Sequence, residues 1–549
     1  MTDQTPARDQ SLRNEGTGTP AADQVAQPVR TEDLTGRNRL GWNVAASWGG
    51  YLVFIVAGFV MPRLIDGYIG QVSLGIWDFC WSLVHYLNVA SLGVGSSVNR
   101  YVARFRANQD EAALCRAVSS VVCIQLVIGL VVALITALLV WCLPIFFSDR
   151  LGAELEDARW VVGLLGASVA TQMALDVFRG VMTGCHRWDI YSALNAGGYS
   201  ISVFGMITAL VLGGELRSLS AVYFVVVVVT ELVRMMLALR ICPELRIRIH
   251  DADWRQLKEM LRFGGKTVVA SLPPLITVQT TNVFVAGALG PAALAVFARP
   301  VALVRHVETF VQKFSFVLTP TAGAMQGAGK DGDLRKFMID STRYGVALTL
   351  PMVMVLGVFG DHILRMWMGP NYEAGPLLAV LAAGYFLPVS QSPTLRILMG
   401  MNLHGRVALL NLLVIVVVYT TGVAVLAVWG WSLLGAGCLV AVSLTAGNGI
   451  TIPVFACRKL GVPLREYVRE VFTIPVSCGV VFALWLTAAH FMFPGRGVGE
   501  FLVGSLGGVV LLGTLYWYWL LPDSWRVRLL GKLESLVGTR KWRRTANRS

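Results

Sequence analysis

The sequence predicts an all-α integral membrane protein of about 14 transmembrane helices, arranged as two pseudo-symmetric six-helix lobes followed by two extra helices. Three observations predict this fold class. Of the 549 residues, 55% are hydrophobic and only 14% are charged, whereas soluble globular domains carry roughly 25% charged residues. Fourteen apolar segments approach or exceed the length of about 20 residues that a spanning helix needs. Short motifs also recur at a spacing of 220 to 224 residues. The composition excludes a soluble domain, a disordered chain and a coiled coil.

The chain opens with a polar tail over residues 1–39, which lacks hydrophobic periodicity and is expected to be disordered in the cytoplasm. It contains no apolar stretch typical of a cleaved signal peptide, so no cleaved signal peptide is expected. The basic tail over residues 522–549 is also expected in the cytoplasm, where it can contact anionic membrane lipids.

Between the tails, the apolar segments alternate with short polar connectors. The segments run approximately over residues 41–62, 72–98, 117–147, 159–183, 190–212, 219–241, 263–287, 292–322, 340–363, 376–400, 406–428, 432–456, 471–493 and 500–521.

The positive charges of the connectors predict the orientation. With the N-terminus inside, the cytoplasmic connectors carry 21 Lys and Arg and the outer connectors only six. Because cytoplasmic loops of membrane proteins are enriched in Lys and Arg, this bias favours an even number of spans with both termini in the cytoplasm. A multi-pass membrane protein in this orientation is therefore expected. The same bias explains most of the net charge of +13, so no nucleic-acid partner is expected.

Two stretches of the chain look like copies of two others. Residues 41–47 (GWNVAAS) resemble residues 265–271 (GKTVVAS), and residues 74–77 (LGIW) resemble residues 294–297 (LAVF). The repeat unit is then six helices in the same orientation, and matched features in the halves of a transporter point to its site. The predicted domains are an N-terminal lobe, a C-terminal lobe and two extra helices, at residues 40–262, 263–456 and 457–521.

No motif for catalysis, metal binding or nucleotide binding is present. The nine cysteines include no CxxC pair, and the seven histidines form neither HExxH nor HxH. GxxxxGK[ST] and GxSxG are also absent. The sequence therefore predicts a protein that is not an enzyme and needs no metal or cofactor. A proton or sodium gradient is the energy source left open.

Ionisable residues inside the apolar segments are the candidates for function, because a charge in hydrocarbon is costly without a partner or a wet cavity. Once the residues near segment ends are counted with the connectors, six cations and four acids remain inside and sum to +2, which suits an anionic cargo. They are Arg179, Arg234, Arg299, Arg305, Lys313, Arg396, Asp78, Asp176, Glu231 and Glu308. The pairs Asp176 with Arg179 and Glu231 with Arg234 are three residues apart, and a structural role is expected for both.

The eighth segment is the main candidate wall of a binding site. Arg299, His306 and Lys313 are spaced by seven residues, so they share one helix face over a rise of about 21 Å. Arg305 lies near the middle of the segment, and Glu308 is expected to hold its guanidinium when no cargo is bound. The alternative is that other helices neutralise these cations, which then only hold the lobes together.

The second segment carries Asp78 and His85, again seven residues apart. They could pair with the eighth segment or titrate, because a His beside a carboxylate changes protonation near neutral pH. Asp78, His85 and Glu308 are the candidates for coupling or gating. Asn43, Gln279 and Asn282 on the first and seventh segments complete the candidate substrate site, although such residues often serve only as helix contacts.

Residues 74–105, which include Gly75, Trp77, Tyr86 and the pair Arg100-Tyr101, resemble the second helix and following loop of Wzx-like polysaccharide flippases. These belong to the multidrug/oligosaccharidyl-lipid/polysaccharide exporter superfamily. The resemblance implies a V-shaped carrier that moves undecaprenyl-diphosphate-linked oligosaccharide from the inner to the outer leaflet for surface polysaccharide synthesis. It also implies the bacterial cytoplasmic (inner) membrane as the location and polysaccharide polymerase machinery as a partner. The alternatives are a drug/cation antiporter of the same superfamily and a non-transporting scaffold of a polysaccharide assembly complex.

Overall fold

A computed structural model describes residues 40–91, 94–248, 269, 272–492 and 498–531 of the chain. The side chains of residues 40–48 are not part of that description, so Asn43 lies outside it. The described residues form helices and turns, without strands. This architecture confirms the all-α membrane fold predicted from composition.

Six helices lie in the described residues of the first half of the chain. They are α1 (Leu40–Leu87), α2 (Val94–Ala107), α3 (Glu111–Leu151), α4 (Leu155–Gly184), α5 (Trp188–Val211) and α6 (Leu216–Ile241). α1 consists of two arms that meet at Gly70 and correspond to the first two apolar segments. α2 is a short amphipathic helix with Arg104 and Arg106 in its last turn.

Twelve helices of the second half lie complete within the described residues, and several of them are parts of one predicted segment. They are α7 (Thr280–Leu289), α8 (Pro291–Ser315), α9 (Leu318–Gly327), α10 (Asp331–Val358), α11 (Gly360–Met368), α12 (Gly375–Ser390), α13 (Ser392–Gly400), α14 (His404–Trp429), α15 (Leu433–Leu444), α16 (Ile452–Leu460), α17 (Leu464–Met492) and α18 (Val498–Leu515). π-Helical turns at Leu275–Gln279, Thr445–Thr451 and Tyr516–Leu520 interrupt or extend these helices.

The repeat is visible in the backbone turns. Gly70 and Gly290 have the same conformation, with φ and ψ of 90° and 166° at one and 92° and 168° at the other. Ten of the eleven described residues with positive φ form five pairs at offsets of 216 to 220 residues. The pairs are Gly70 with Gly290, Gln109 with Gly329, Gly152 with Gly369, His186 with Asn402, and Gly213 with Gly430. The two halves are therefore pseudo-symmetric, while the exact lobe boundaries stay a prediction.

These turns define the two ends of the helix bundle. The Gly290 end contains Gly70, Gly152, Gly213, Gly290, Gly369 and Gly430, and the Gly329 end contains Gln109, His186, Gly329, Asn402 and Gly461. The predicted topology assigns the Gly290 end to the outer side of the membrane. α17 packs against α10 and α18, so the last two segments extend the second half.

Three predicted segments are shorter or more broken than the hydrophobic pattern indicated. α8 ends at Ser315 instead of residue 322, because Pro320 lacks the N–H that would continue the helical bonding. The second arm of α1 ends at Leu87, eleven residues before the predicted end. The tenth segment divides between α12 and α13 at Gln391, where Pro388 and Pro393 flank the break.

Within the described ranges, nine helical runs are long and apolar enough to cross a membrane, and they include eleven of the fourteen predicted segments. The eighth segment is not among these runs, because a spanning window of 18 residues is allowed at most two charged residues. Every such window in α8 contains at least three, among them Arg299, Arg305 and Glu308. The chain is thus a multi-pass membrane protein, and the count of fourteen spans stays a prediction.

Candidate functional site

The two halves meet chiefly along α1, which faces α7, α8 and α11. We call this contact the seam. It is formed by Tyr51, Phe59, Arg63, Asp66, Gly75, Asp78, Ser82 and Tyr86 on α1, and by Thr280, Asn282, Pro291, Arg299, His306, Lys313, Trp367, Met368 and Tyr372 in the second half.

The seam is tightly closed at the Gly290 end. Arg63 donates to the Met368 carbonyl, and Trp367 Nε1 donates to the Phe59 carbonyl at 2.7 Å. The Tyr372 hydroxyl donates to Asp66 Oδ1 at 2.6 Å. Burial, followed by the bond to Asp66, raises the pKa of this phenol, so it stays a donor at any physiological pH.

An ion pair between Asp78 and Arg299 links α1 to α8 next along the seam. The Arg299 side chain is only 5% exposed. Removing one partner from such a buried pair leaves an uncompensated charge, which is strongly destabilising. Of the two outcomes expected for Asp78, the structure favours pairing with the eighth segment.

Farther from the Gly290 end, hydrogen bonds replace charges. Asn282 Nδ2 donates to Ser82 Oγ at 3.0 Å. The hydroxyls of Tyr86 and Thr280 lie 2.6 Å apart. Asp78, Ser82 and Tyr86 are four residues apart, so one face of α1 supplies all of these contacts. Asn282 therefore contacts the other half.

The three residues spaced by seven on α8 all face α1, as expected from their spacing. Arg299 pairs with Asp78, and the His306 ring stacks on Phe59 with centroids 5.1 Å apart. Lys313 Nζ lies 5.3 Å from the centroid of the Tyr51 ring. At Arg299, the geometry matches the alternative in which another helix neutralises the cation. Lys313 has a π system as its neighbour instead.

Arg305 and Glu308 lie on another face of α8 and line a cavity of about 210 Å³. We call it the Arg305 pocket. Its lining consists of Pro274, Val278, Arg305, Glu308, Thr309, Gln312, Tyr385, Pro388, Leu444 and Asn448. The π-helical turns Leu275–Gln279 and Thr445–Thr451 supply Val278 and Asn448. Such turns are frequent at functional sites.

Arg305 is exposed, and no described carboxylate lies within the 4.0 Å of an ion pair with it. The expected pair of Glu308 with Arg305 is not formed. Glu308 Oε1 instead accepts a hydrogen bond of 3.0 Å from Gln312 Nε2. Arg305 therefore presents an unpaired guanidinium to the pocket.

Two further predicted site residues lie near the seam. His85 Nδ1 is 2.6 Å from the Trp81 carbonyl, and because a carbonyl only accepts, Nδ1 carries the proton. Gln279 is buried in the π-helical turn before α7.

The structure also contains a larger cavity within the first half, which we call the N-terminal cavity. It has a volume of about 490 Å³ and lies among α1, α4, α5 and α6. Its lining is Phe54, Asn88, Gln172, Met173, Asp176, Arg179, Tyr191, Asn195, Gly198, Tyr199, Ser202, Tyr223, Val226, Val227, Thr230, Glu231 and Arg234.

Both short-range ion pairs predicted from the sequence line this cavity. Arg179 pairs with Asp176 and Arg234 with Glu231, each at 2.6 Å. Asn195 Oδ1 accepts a second bond from Arg234 at 2.6 Å. These pairs were expected to be only structural, and the cavity between them was not predicted.

A sequence signal for the N-terminal cavity exists. Tyr191, Asn195 and Tyr199 follow one another at intervals of four, as do Gln172 and Asp176. Such spacing places polar and aromatic residues on one helix face. Two polar faces on neighbouring helices would have indicated a shared cavity. The contribution of Asn448 to the Arg305 pocket has no comparable signal, because it depends on a π-helical turn.

Comparisons with known proteins give the fold and the family. The chain has the fold of an inward-facing multidrug resistance MATE family transporter of the MOP superfamily. That similarity has a TM-score of 0.62 and 16% identity, covering 75% of this chain and 94% of that one. Lipid II flippase MurJ in an inward closed conformation matches with a TM-score of 0.64 and 11% identity, covering 86% and 97%.

A MOP superfamily transporter from Pyrococcus furiosus, described as having a binding pocket of reverse polarity, also matches. Its TM-score is 0.57 and its identity 17%, covering 80% of this chain and 99% of that one. No curated protein matches the chain. The family model described as polysaccharide biosynthesis protein matches residues 85–375, more than half of the chain. The chain therefore belongs to the polysaccharide biosynthesis protein family.

Proposed function

We propose that this protein is a transporter that flips undecaprenyl-diphosphate-linked oligosaccharide from the cytoplasmic to the outer leaflet by alternating access. The observation that carries the proposal is the unpaired Arg305 guanidinium at a polar pocket inside a membrane protein of a polysaccharide biosynthesis family. The matched lipid II flippase is, by its name, a carrier of a lipid-linked substrate.

Arg305 binds the diphosphate in this proposal. A guanidinium offers planar paired donors to phosphate oxygens, and charge-assisted bonds of this kind are strong. Lys313, two helical turns farther along α8, adds a second positive charge at the seam. The prenyl chain remains in the lipid beside α1 and α8.

The proposed cycle uses the seam as its gate. With the Gly290 end outside, the contacts from Arg63 to Asp78 close the outer side, which supports assigning this arrangement to a cytoplasm-facing state of the proposed cycle. Opening outward separates α1 from α8 and α11 and breaks the Asp78–Arg299 pair. Reporter fusions test the orientation, with Ser549 expected inside and Gly495 outside.

Coupling, where it occurs, is proposed to run through protonation or cation binding at Asp78, His85 or Glu308. Asp78 is suited to this because its charge state changes the strength of the gate pair with Arg299. Transport in vesicles should then fall when proton and sodium gradients are removed. Undiminished transport without any gradient would exclude coupling and leave downhill flipping.

The drug/cation antiporter remains the second candidate, and the charge balance disfavours it. After the described pairs are formed, Arg305, Lys313, Arg396 and Glu308 remain as in-span charges, a net +2 that repels a cationic cargo. Drug-resistance measurements on an expressing strain separate the two candidates. A scaffold would need none of these unpaired cations.

Complementation of a flippase-deficient strain tests the proposal directly. Arg305→Ala should abolish complementation while the protein still inserts in the membrane. Arg305→Lys should be only partly active, because a point charge loses the bidentate geometry. Arg528→Ala, which removes an exposed arginine of the basic tail, is the matched control and should be fully active. Full activity of Arg305→Ala at normal expression would contradict the proposal.

A further inference from the structure

The N-terminal cavity is separate from the diphosphate site and needs its own explanation. We propose that it binds the neutral sugar units of the lipid-linked cargo, while Arg305 binds the diphosphate. The inference rests on the flippase function proposed above and names the part of the cargo that the first half recognises.

The cavity has an open mouth and a closed floor. The Arg179 side chain near the mouth is 42% exposed, whereas that of Arg234 at the floor is 9% exposed. Its volume of about 490 Å³ lies within the range of small-molecule sites, roughly 300 to 1,000 Å³. A group of several sugar rings can therefore enter from the mouth.

The charges of the cavity cancel. Its two arginines are each paired with a carboxylate at 2.6 Å, so no net charge remains to attract phosphate or an organic cation. The pairs still present directional donors and acceptors. Asn88, Gln172, Asn195, Ser202 and Thr230 add amides and hydroxyls of both kinds. A neutral, directional lining of this type fits the hydroxyl groups of sugars.

Aromatic rings complete the lining. Phe54 stacks on Tyr199 with centroids 4.2 Å apart, and the Arg234 guanidinium carbon lies 5.7 Å from the Tyr191 ring centroid. Tyr223 lines a further side. Sugars present C–H faces as well as hydroxyls, and large rings with polar tips offer contact to both.

One buried donor in the cavity has no described partner. Arg234 Nε is inaccessible to solvent, and no described residue accepts a hydrogen bond from it. Buried polar groups without partners are uncommon and costly. A sugar oxygen that reached the floor would satisfy this donor.

The position of the cavity allows one cargo molecule to reach both sites. Phe54 lines the cavity, and Tyr51, three residues earlier on α1, lies beneath Lys313 at the seam. A rise of about 4.5 Å along α1 therefore separates the edge of the cavity from the contact that holds Lys313, the second cation of the proposed diphosphate site. In a sugar diphosphate the first ring is bonded directly to a phosphate. The cargo therefore requires a short distance between the sugar site and the diphosphate site.

Binding to the purified full chain tests the inference with two probes. The probes are undecaprenyl diphosphate and the lipid-linked oligosaccharide fraction extracted from the cells that encode the protein. Wild type should bind the lipid-linked oligosaccharide more tightly than undecaprenyl diphosphate, and the ratio of the two affinities is its preference. Thr230→Val removes one cavity hydroxyl with little change of shape, and combining it with Asn88→Ala at the mouth should reduce the preference about tenfold.

Three controls separate the outcomes. Thr421→Val removes a hydroxyl on an exposed face of α14 and should leave the preference unchanged. Arg305→Ala should weaken both probes and leave the preference intact. The cavity variants should keep the melting temperature of wild type, and Gln172→Leu provides a third cavity variant if either fails to fold.

Four results would overturn a proposal, and they can be told apart. Equal binding of both probes by wild type contradicts the sugar site alone, and so does a preference that survives the cavity substitutions. Binding of an organic cation such as tetraphenylphosphonium to wild type but not to the cavity variants assigns the cavity to cations and contradicts the sugar site. Failure of wild type to bind either probe contradicts the flippase function itself.

Discussion

The in-span charges of the first half are all paired, and those of the second half are mostly not. Asp176, Glu231 and Asp78 each bind an arginine, the last across the seam. On α8, Arg305 has no described carboxylate partner within ion-pair distance. The difference teaches that equal numbers of in-span charges serve different purposes: paired ones fix helices, and unpaired ones are available to a ligand.

The largest expected effect comes from breaking a pair in the first half. Glu231→Ala leaves Arg234 as an uncompensated buried charge, so we expect a loss of stability of about 3 to 5 kcal/mol. Thermal unfolding in detergent measures it. Glu231→Leu combined with Arg234→Leu should recover part of the loss, since it removes both charges. A stable Glu231→Ala protein would mean that the pair does not fix these helices.

A smaller effect is expected at the seam, where Gly75 faces Pro291. A Cβ at residue 75 would overlap the Pro291 carbonyl oxygen, so Gly75→Ala should disfavour the closed seam by about 1 to 3 kcal/mol. In a background without the nine native cysteines, a cysteine at Ser82 should become more reactive to a polar maleimide. Gly67→Ala is the control, because a Cβ there meets nothing within 4 Å. Equal reactivity of the two variants would count against this gate.

The contact of Lys313 with Tyr51 should contribute less. A cation above an aromatic ring stabilises by about 0.5 to 1 kcal/mol at exposed sites. Tyr51→Leu should therefore lower the melting temperature only slightly while reducing transport severalfold, because Lys313 loses its position. If Tyr51→Leu lowers stability as much as Glu231→Ala does, the role of Tyr51 is structural.

The smallest effect on stability is expected at Arg305. Because no described ion pair depends on it, Arg305→Ala should change the free energy of unfolding by no more than about 0.5 kcal/mol. The same thermal measurement on wild type and variant checks this. A large loss of stability would show that Arg305 has a structural role and would remove the contrast between the halves.

Much of the fold could be predicted because its determinants are local. Apolar length, loop charge and the residues flanking Gly70 and Gly290 are all visible in the sequence. The face shared by Arg299, His306 and Lys313 also followed from helical periodicity. The partner of each residue on that face did not follow, because it depends on how two distant helices pack.

The candidate site was harder to predict for the same reason. The pairing of Asp78 with Arg299 joins residues 221 apart in sequence, and nothing local selects it over the other alternative. The pocket around Arg305 depends on two π-helical turns. A search for the α-helical period of 3.6 residues does not detect them, because a π-helix has more residues per turn. Helix ends at Ser315 and Leu87 were missed because apolar residues continue past them.

The matched backbone at Gly70 and Gly290 has a consequence for how the gene can vary. At φ near +90° a β-carbon is strained, and every single-base change that replaces a glycine introduces one. Apart from synonymous changes, codons 70 and 290 therefore have no neighbour without strain, in contrast to codon 67. Saturation mutagenesis of this gene should find two positions 220 codons apart that tolerate few substitutions, and they mark the same joint in each of the two pseudo-symmetric halves.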